Sequence, residues 1–323
     1  MKVLVTGAGG FLGSHLVENL VKNNYKVKAF VHYNSDNNWR WLEKLNFRNK
    51  IEIISGDIRD FDSVYQATNG VDGVFHLAAL IGIPYSYISP LAYIKTNIEG
   101  TYNILEASRL LKIKNILIAS TSETYGSAKY VPIDELHPMV GQSPYSASKI
   151  SADNLAVSYY RSFNLPVKIA RPFNIYGPRQ SLRAIIPTII LQILSGKKII
   201  QLGNIDITRD FTYVSDTVDA IIKIFNENKF NGQYINIGTM NEISIRDLVK
   251  KISSLLKKKI SISQDKNRLR PIKSEVNRLF CDNKKLTNDT NWQPQYNLDQ
   301  GLKKTIYWLK KNKKLFKSEI YNR

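Results

Sequence analysis

Apolar residues fall along this chain in short continuous runs separated by amphipathic stretches, and that alternation predicts an α/β protein. Lys2 to Thr6, Lys26 to Val31, Ile51 to Ser55, Asp72 to Leu77, Asn115 to Ala119 and Val167 to Ala170 read as strands. Between them, helical spacing runs through Ser14 to Val21, through Pro90 to Leu111 (Ile94, Ile98, Tyr102, Leu105, Leu110) and through Ser143 to Phe163. Beyond Arg171 the elements shorten and alternate less regularly. The chain therefore divides into residues 1–171, a sheet-and-helix region, and residues 172–323. The second region is a smaller α/β lobe over the sheet's C-terminal edge, with some segments returning to the core. Clefts between lobes are where small ligands bind.

With 323 residues the chain can bury a substantial core, as one large α/β unit or two closely joined lobes. The formal charge of +19 invites a nucleic-acid reading. The lysines are spread along the chain, however, thickening only at Lys257 to Lys259 and from Lys303 to Lys317, without an aromatic-interleaved basic repeat. No nucleic-acid partner is expected, only a mild attraction for small anions. One cysteine, Cys281, excludes an internal disulfide framework; it reads as a buried strand residue and agrees with a reducing cytoplasm. Met1 leads straight into a strand and no apolar run reaches membrane-spanning length, so neither signal peptide nor anchor is expected, and the expected location is cytoplasmic. No metal site is expected.

Chemistry is concentrated at strand ends. Gly7, Gly10, Phe11, Leu12 and Gly13 lie in a turn between the first strand and the first helix, where glycine lets a pyrophosphate approach the backbone and free helix N–H groups face it. The second strand lacks the terminal acid that holds the ribose of NAD; His32 and Asn34 stand in its place, and no arginine sits where a 2′-phosphate would need one. NAD is therefore favoured over NADP. Asp57, beside Ile58 after the third strand, is a candidate for the adenine amino group, although Asp57 or Asp60 also suits a helix N-cap. Leu77, Ala78 and Ala79 follow the fourth strand with little bulk, and His76 reads as a satisfied sheet histidine.

Ser120 to Gly126 brings Thr121, Ser122 and Glu123 out at the sheet edge, and Tyr145 and Lys149 share one helix face four residues apart. A buried ammonium beside a phenol favours phenolate, which makes tyrosine usable as a base near neutral pH. In the second lobe, Arg209, Arg270 and Glu275 have the chemistry to bind a diphosphate and ribose hydroxyls. The two long helices lie where they can pair with a symmetry mate in a four-helix homodimer interface.

Gly7-xx-Gly10-xx-Gly13, Asp57, His76-x-Ala78-Ala79, Tyr145-xxx-Lys149, Arg171-Pro-Phe-Asn174 and Arg209-Asp-Phe together resemble the nucleotide-sugar branch of the extended short-chain dehydrogenase/reductases. The resemblance covers nearly the whole chain. It implies a doubly wound parallel Rossmann sheet, a tightly bound nicotinamide cofactor and transient oxidation at sugar C4. It also implies that Thr121 orients the C4 hydroxyl, Tyr145 takes its proton and Lys149 holds Tyr145 and the nicotinamide ribose. Asn174 and Ser86 fall where the branch touches the sugar nucleotide, and Arg179 falls among the substrate contacts. Thr-Ser-Glu departs from the Thr-Asp-Glu usual in 4,6-dehydratases and also occurs in UDP-glucuronate decarboxylases, for which Arg179 or Arg183 is a candidate to meet the C6 carboxylate. The 4-epimerases usually carry no acid here. Segments such as Gly141-Gln-Ser-Pro-Tyr145 and Arg183-Ala-x-Ile-Pro are most similar to the 4,6-dehydratases of the legionaminic acid pathway, which act on UDP- or GDP-linked N-acetylglucosamine. An idle NAD-sensing protein would have no use for both Tyr145 and Lys149.

Overall fold

The computed structural model describes residues 1–46 and 48–316. Its strands in chain order are β1 Lys2–Thr6, β2 Lys26–His32, β3 Ile51–Gly56, β4 Gly73–His76, β5 Ile116–Ala119, β6 Val167–Pro172, β7 Asn174–Tyr176, β8 Ile199–Leu202, β9 Thr208–Tyr213, β10 Tyr234–Ile237, β11 Glu242–Ser244, β12 Ser261–Gln264 and β13 Arg278–Leu279. The helices are α1 Phe11–Lys22, α2 Phe61–Thr68, α3 Ile83–Ile88, α4 Pro90–Tyr93, α5 Gly100–Leu110, α6 Pro144–Phe163, α7 Ile185–Leu194, α8 Val214–Asn226, α9 Ile245–Leu255, α10 Lys284–Thr290 and α11 Leu298–Asn312.

Seven strands form one sheet in the order β3-β2-β1-β4-β5-β6-β10, with every neighbouring pair parallel. The last strand comes from the second half of the chain, where Asn236 pairs with Arg171. Helices cover both faces, which is why the strand sequences are continuously apolar rather than alternating. On one face, Leu16 and Val17 of α1 and Ile221 and Phe225 of α8 pack on β1, β2 and β4, with Phe75 stacked on Phe225 at 4.0 Å. On the other, α2, α5 and α6 contribute Val64, Leu105, Ala156 and Tyr159. This is the doubly wound parallel sheet expected from the sequence. Its strand order reverses between β1 and β4, which opens a crevice at their C-terminal ends.

Residues of α7, α9 and α11 close a separate core around β8 and β9. The central strand there, β9, pairs with β7, β11 and β13 and carries Arg209. A small cluster of Tyr125, Ile133, Phe173, Val276 and Cys281 joins this part to the strand ends of the main sheet. Cys281 is fully buried and forms a single bridge to Ile133 rather than lying inside a strand.

One expectation about the helices needs correcting. The single helix read over Pro90 to Leu111 is α4, a π-helical segment Ile94–Glu99, and α5; Leu105 enters the core while Ile94, Tyr102 and Leu110 stay exposed. Lys310 lies inside α11, which runs to Asn312, and residues 317–323 lie outside those described. Among the described residues no helix is long and apolar enough to cross a membrane.

Candidate active site

At the end of β1 the chain turns through Gly7 at φ +66° and enters α1, which opens at Gly10 without a side-chain cap or an acidic residue in its first turn. Its first N–H groups are therefore available to an anion. A Cβ on Gly13 would lie 2.2 Å from the Gly7 carbonyl oxygen, and one on Gly7 would lie 2.9 Å from the Ala78 nitrogen. The turn thus packs tightly both on its own helix and on the Leu77-Ala78 segment, and its donor set fits a dinucleotide pyrophosphate.

The neighbouring polar candidates are already engaged within the chain. Asn34 binds the Asn38 backbone in both directions, at 2.9 Å each. The His32 ring meets the Tyr33 carbonyl. Asp57 is forked by Arg59, which holds its carboxyl below the usual range. Asp60 is the N-cap of α2, and the Ile58 carbonyl accepts from Asn103.

Thr121 lies two residues beyond the end of β5 and caps a short 3-10 turn, Ser122–Tyr125. Facing it, Ser143 and Ser146 form a reciprocal capping box at the start of α6, which fixes the helix carrying Tyr145 and Lys149. Burial dominates the Tyr145 phenol and pushes its pKa up, while the Thr121 hydroxyl beside it favours the ionised form. Lys149 donates to the Ala119 carbonyl at 2.8 Å and is itself pushed down by burial. The expected depression of the phenol by Lys149 is therefore not what the protein alone produces. Desolvation is the largest influence on each of the two groups. Ser122 is buried, and Glu123 lies close enough for its charge to raise Tyr145 further.

His76 is the satisfied sheet histidine expected. Thr101 gives its hydroxyl proton to the Asn97 carbonyl, so its oxygen accepts from Nε2–H, and Nδ1 then accepts from Thr6. Burial pushes its pKa down to about 3.

Sequence reasoning missed Asn97. Its Nδ2 donates to the Leu80 carbonyl at 3.0 Å and to Ser148 at 2.9 Å, and its Oδ1 accepts from Leu80 N–H at 2.8 Å. It ties the segment after β4 to the helix turn between Tyr145 and Lys149, and the π-helical distortion accompanies it. Such distortions mark functional positions. An amide in the middle of an apolar helical pattern was the available signal.

Arg209 of β9 and Arg270, beyond β12, bring cations toward Glu123 and Glu275. Arg270 Nη1 lies 3.5 Å from both Glu123 oxygens, its Nε 3.8 Å from Glu275, and Arg209 Nη2 lies 3.9 Å from Glu275. Burial and the charge of Arg270 lower Arg209 to about 10. Arg209 Nη2 and Asn174 Oδ1 are buried without a hydrogen-bond partner, as groups awaiting a ligand would be. Arg179 is placed elsewhere, against α1, with Glu18 at 2.8 Å and Ser14 at 3.3 Å. Ser86 is fully buried and commits its hydroxyl to the Ile83 carbonyl.

Residues 4–305 match the model of the family described as GDP-mannose 4,6 dehydratase. The chain belongs to this family. Within it, 35% identity links the chain to a UDP-N-acetyl-alpha-D-glucosaminuronate decarboxylase from Bacillus cytotoxicus, over 96% of this chain and 98% of that protein. A putative UDP-glucose 4-epimerase from Methanocaldococcus jannaschii is 33% identical over 96% of this chain and 99% of its own length. The dTDP-glucose 4,6-dehydratase of Streptomyces venezuelae, solved with NAD bound, has a TM-score of 0.89 at 27% identity and covers 98% of this chain and 99% of that one. These three relatives are named for three different outcomes, so the reaction must be argued from the residues.

Proposed function

We propose that this protein is an NAD-dependent 4,6-dehydratase that converts UDP- or GDP-linked N-acetylglucosamine to its 4-keto-6-deoxy product with loss of water. The observation that carries this reading is Glu123, a carboxylate in the turn after β5 whose charge bears on Tyr145 and which Arg270 reaches from the second lobe. A 4-epimerase needs no such group.

The turn at Gly7 to Gly13 holds NAD, which supplies reversible hydride acceptance at its nicotinamide. Thr121 orients the C4 hydroxyl and Tyr145 takes its proton. The resulting C4 ketone acidifies C5–H, and Glu123 takes that proton. The C6–O bond then breaks and the hydroxyl leaves as water, its proton coming from Glu123, with Ser122 as an orienting hydroxyl; Ser122 is too weak an acid to do this alone. The C5–C6 double bond this leaves takes a hydride at C6 and, through Glu123, a proton from water at C5, while Tyr145 gives its proton back to solvent, so that protons and hydride balance over the cycle. Arg209 and Arg270 hold the diphosphate, Glu275 the ribose hydroxyls and Asn174 the sugar nucleotide. The exposed Leu91, Ile94, Tyr102, Leu110 and Phe163 on α4 to α6 support a homodimer through these helices.

One observation favours decarboxylation as a second reading. The Arg183 guanidinium approaches Gly82 and its charge acts on Tyr93, whose ring packs edge-on against Tyr145. A C6 carboxylate would find a cation there. Incubation with UDP- and GDP-linked N-acetylglucosamine, UDP-glucose and UDP-glucuronate, followed by mass spectrometry, separates the readings. Loss of one water from a hexosamine without net consumption of NAD is the expected result; release of carbon dioxide or an isobaric epimer overturns it.

A further inference from the structure

Three successive residues leaving β5 are each gripped by α6. Lys149 donates to the Ala119 carbonyl, Ser120 Oγ donates to Asp153 Oδ2 at 2.8 Å, and the Thr121 hydroxyl lies beside the Tyr145 phenol. Tyr145, Lys149 and Asp153 recur every four residues on one helix face, with exposures of 6%, 3% and 0%. Behind Asp153, Arg171 of β6 donates to Oδ2 from Nε at 3.0 Å and Nη2 at 2.9 Å, and to the Tyr125 hydroxyl from Nη1 at 3.1 Å. Its guanidinium lies 3.7 Å from the centre of the Tyr234 ring. Asp153 Oδ1 has no hydrogen-bond partner.

A wholly buried ion pair is weak evidence for stability, because desolvating two ions offsets their attraction and apolar residues of similar volume serve as well. Its neighbours are what distinguish this one. We propose that Asp153 is a positioning residue: its charge keeps the buried Lys149 ammonium protonated, and its grip on Ser120 sets Thr121 against Tyr145. Burial drives the Lys149 pKa down and Asp153 is the charge that opposes it. The other groups facing this pair are His76 from β4, neutral between its two threonines, Glu123 after β5, Tyr93 from α4, and Arg171 from β6. Asp153 also raises the Tyr145 phenol. Neutralising it must therefore lower both pKa values together.

The test rests on the family's oxidation at C4 and not on which step follows. In NAD-loaded enzyme, the pH dependence of bound-nicotinamide reduction is followed by absorbance with UDP- and GDP-linked N-acetylglucosamine and UDP-glucose in parallel. Asp153→Asn is expected to move both the acid and the alkaline limb, which belong to the coupled Tyr145–Lys149 pair, down by about 1 pH unit. Asp153→Glu keeps the charge and restores them, and Ser120→Ala lowers the rate without moving either. Should Asp153→Asn fail to fold with Arg171 unpaired, Asp153→Asn combined with Arg171→Met removes both charges and gives the same downward shift, since Arg171 is not among the charges acting on Lys149. Independently of any substrate, the ultraviolet difference between each enzyme and its Tyr145→Phe counterpart reports the phenolate and is expected to shift the same way. Limbs and phenolate titration that stay in place in a folded, NAD-retaining variant overturn the proposal.

Discussion

Glu123→Gln tests the step on which the reaction assignment turns, because it keeps the shape of the side chain and removes its charge and basicity. Losing a positioned general base costs about 10²- to 10⁴-fold in rate. The competing explanation is lost structure. At 3.5 Å and an effective dielectric of about 20 the gross attraction between Glu123 and Arg270 is about 5 kcal/mol. Both side chains keep contact with solvent, at 12% and 23% exposure, and Glu275 remains within 3.8 Å of Arg270. The net loss of stability is therefore about 1 kcal/mol or less, a fall of roughly 2–4 °C at most in melting temperature. Oxidation at C4 should survive, because Glu123 raises the Tyr145 phenol and its neutralisation makes that base easier to form. The expected result combines near-native melting, accumulation of reduced nicotinamide after addition of UDP- or GDP-linked N-acetylglucosamine, and product formation reduced at least 100-fold. Product formation within tenfold of the unaltered enzyme refutes the role of Glu123, and loss of the nicotinamide signal refutes the separation of oxidation from elimination.

Gly13→Ala places a methyl group 2.2 Å from the Gly7 carbonyl oxygen, a backbone clash that no rotamer relieves. It is expected to cost about 1–3 kcal/mol and to yield protein purified without NAD; unchanged melting with full NAD content would show that the turn does not cradle the pyrophosphate. Ile94→Asp, at a half-exposed apolar position of the π-helical segment (51% exposure), is expected to convert a dimer to a monomer in light scattering. A monomeric unaltered enzyme would refute the proposed interface.

The parts of the fold that rest on local rules were legible in the sequence. Continuous apolar runs such as Val3-Leu4-Val5 mark strands buried on both faces, a glycine turn between strand and helix marks a phosphate cradle, and four-residue spacing places Tyr145 and Lys149 together. What was not legible depends on partners far along the chain. The π-helical segment around Asn97 is bound to Leu80 and Ser148, 17 and 51 residues away. Arg179 looked like the other arginines, but only the tertiary fold sets it against Glu18, 161 residues distant, while Arg209 and Arg270 converge on Glu123 and Glu275. The sign of the Tyr145 shift was misjudged for a similar reason. Spacing reports that two groups are adjacent, whereas their pKa values depend on how much water the surrounding fold removes from each.

Asn97, Lys149 and Asp153 share a signature that local reading passes over: each is a polar side chain at a helix position where the period calls for an apolar one. A buried amide, ammonium or carboxylate costs free energy unless it is paired, so two helical segments that together retain three of them depart from the packing rule at those points. Here the departures are neighbours in space. Asn97 binds the turn of α6 between Tyr145 and Lys149, and Asp153 binds the residue before Thr121. Both reach the reacting groups through one intermediate residue. The positions where the hydrophobic pattern fails thus outline the support of the site as clearly as the strand ends outline its opening, and they single out Asp153 as the member whose charge, rather than its shape, is tied to the chemistry.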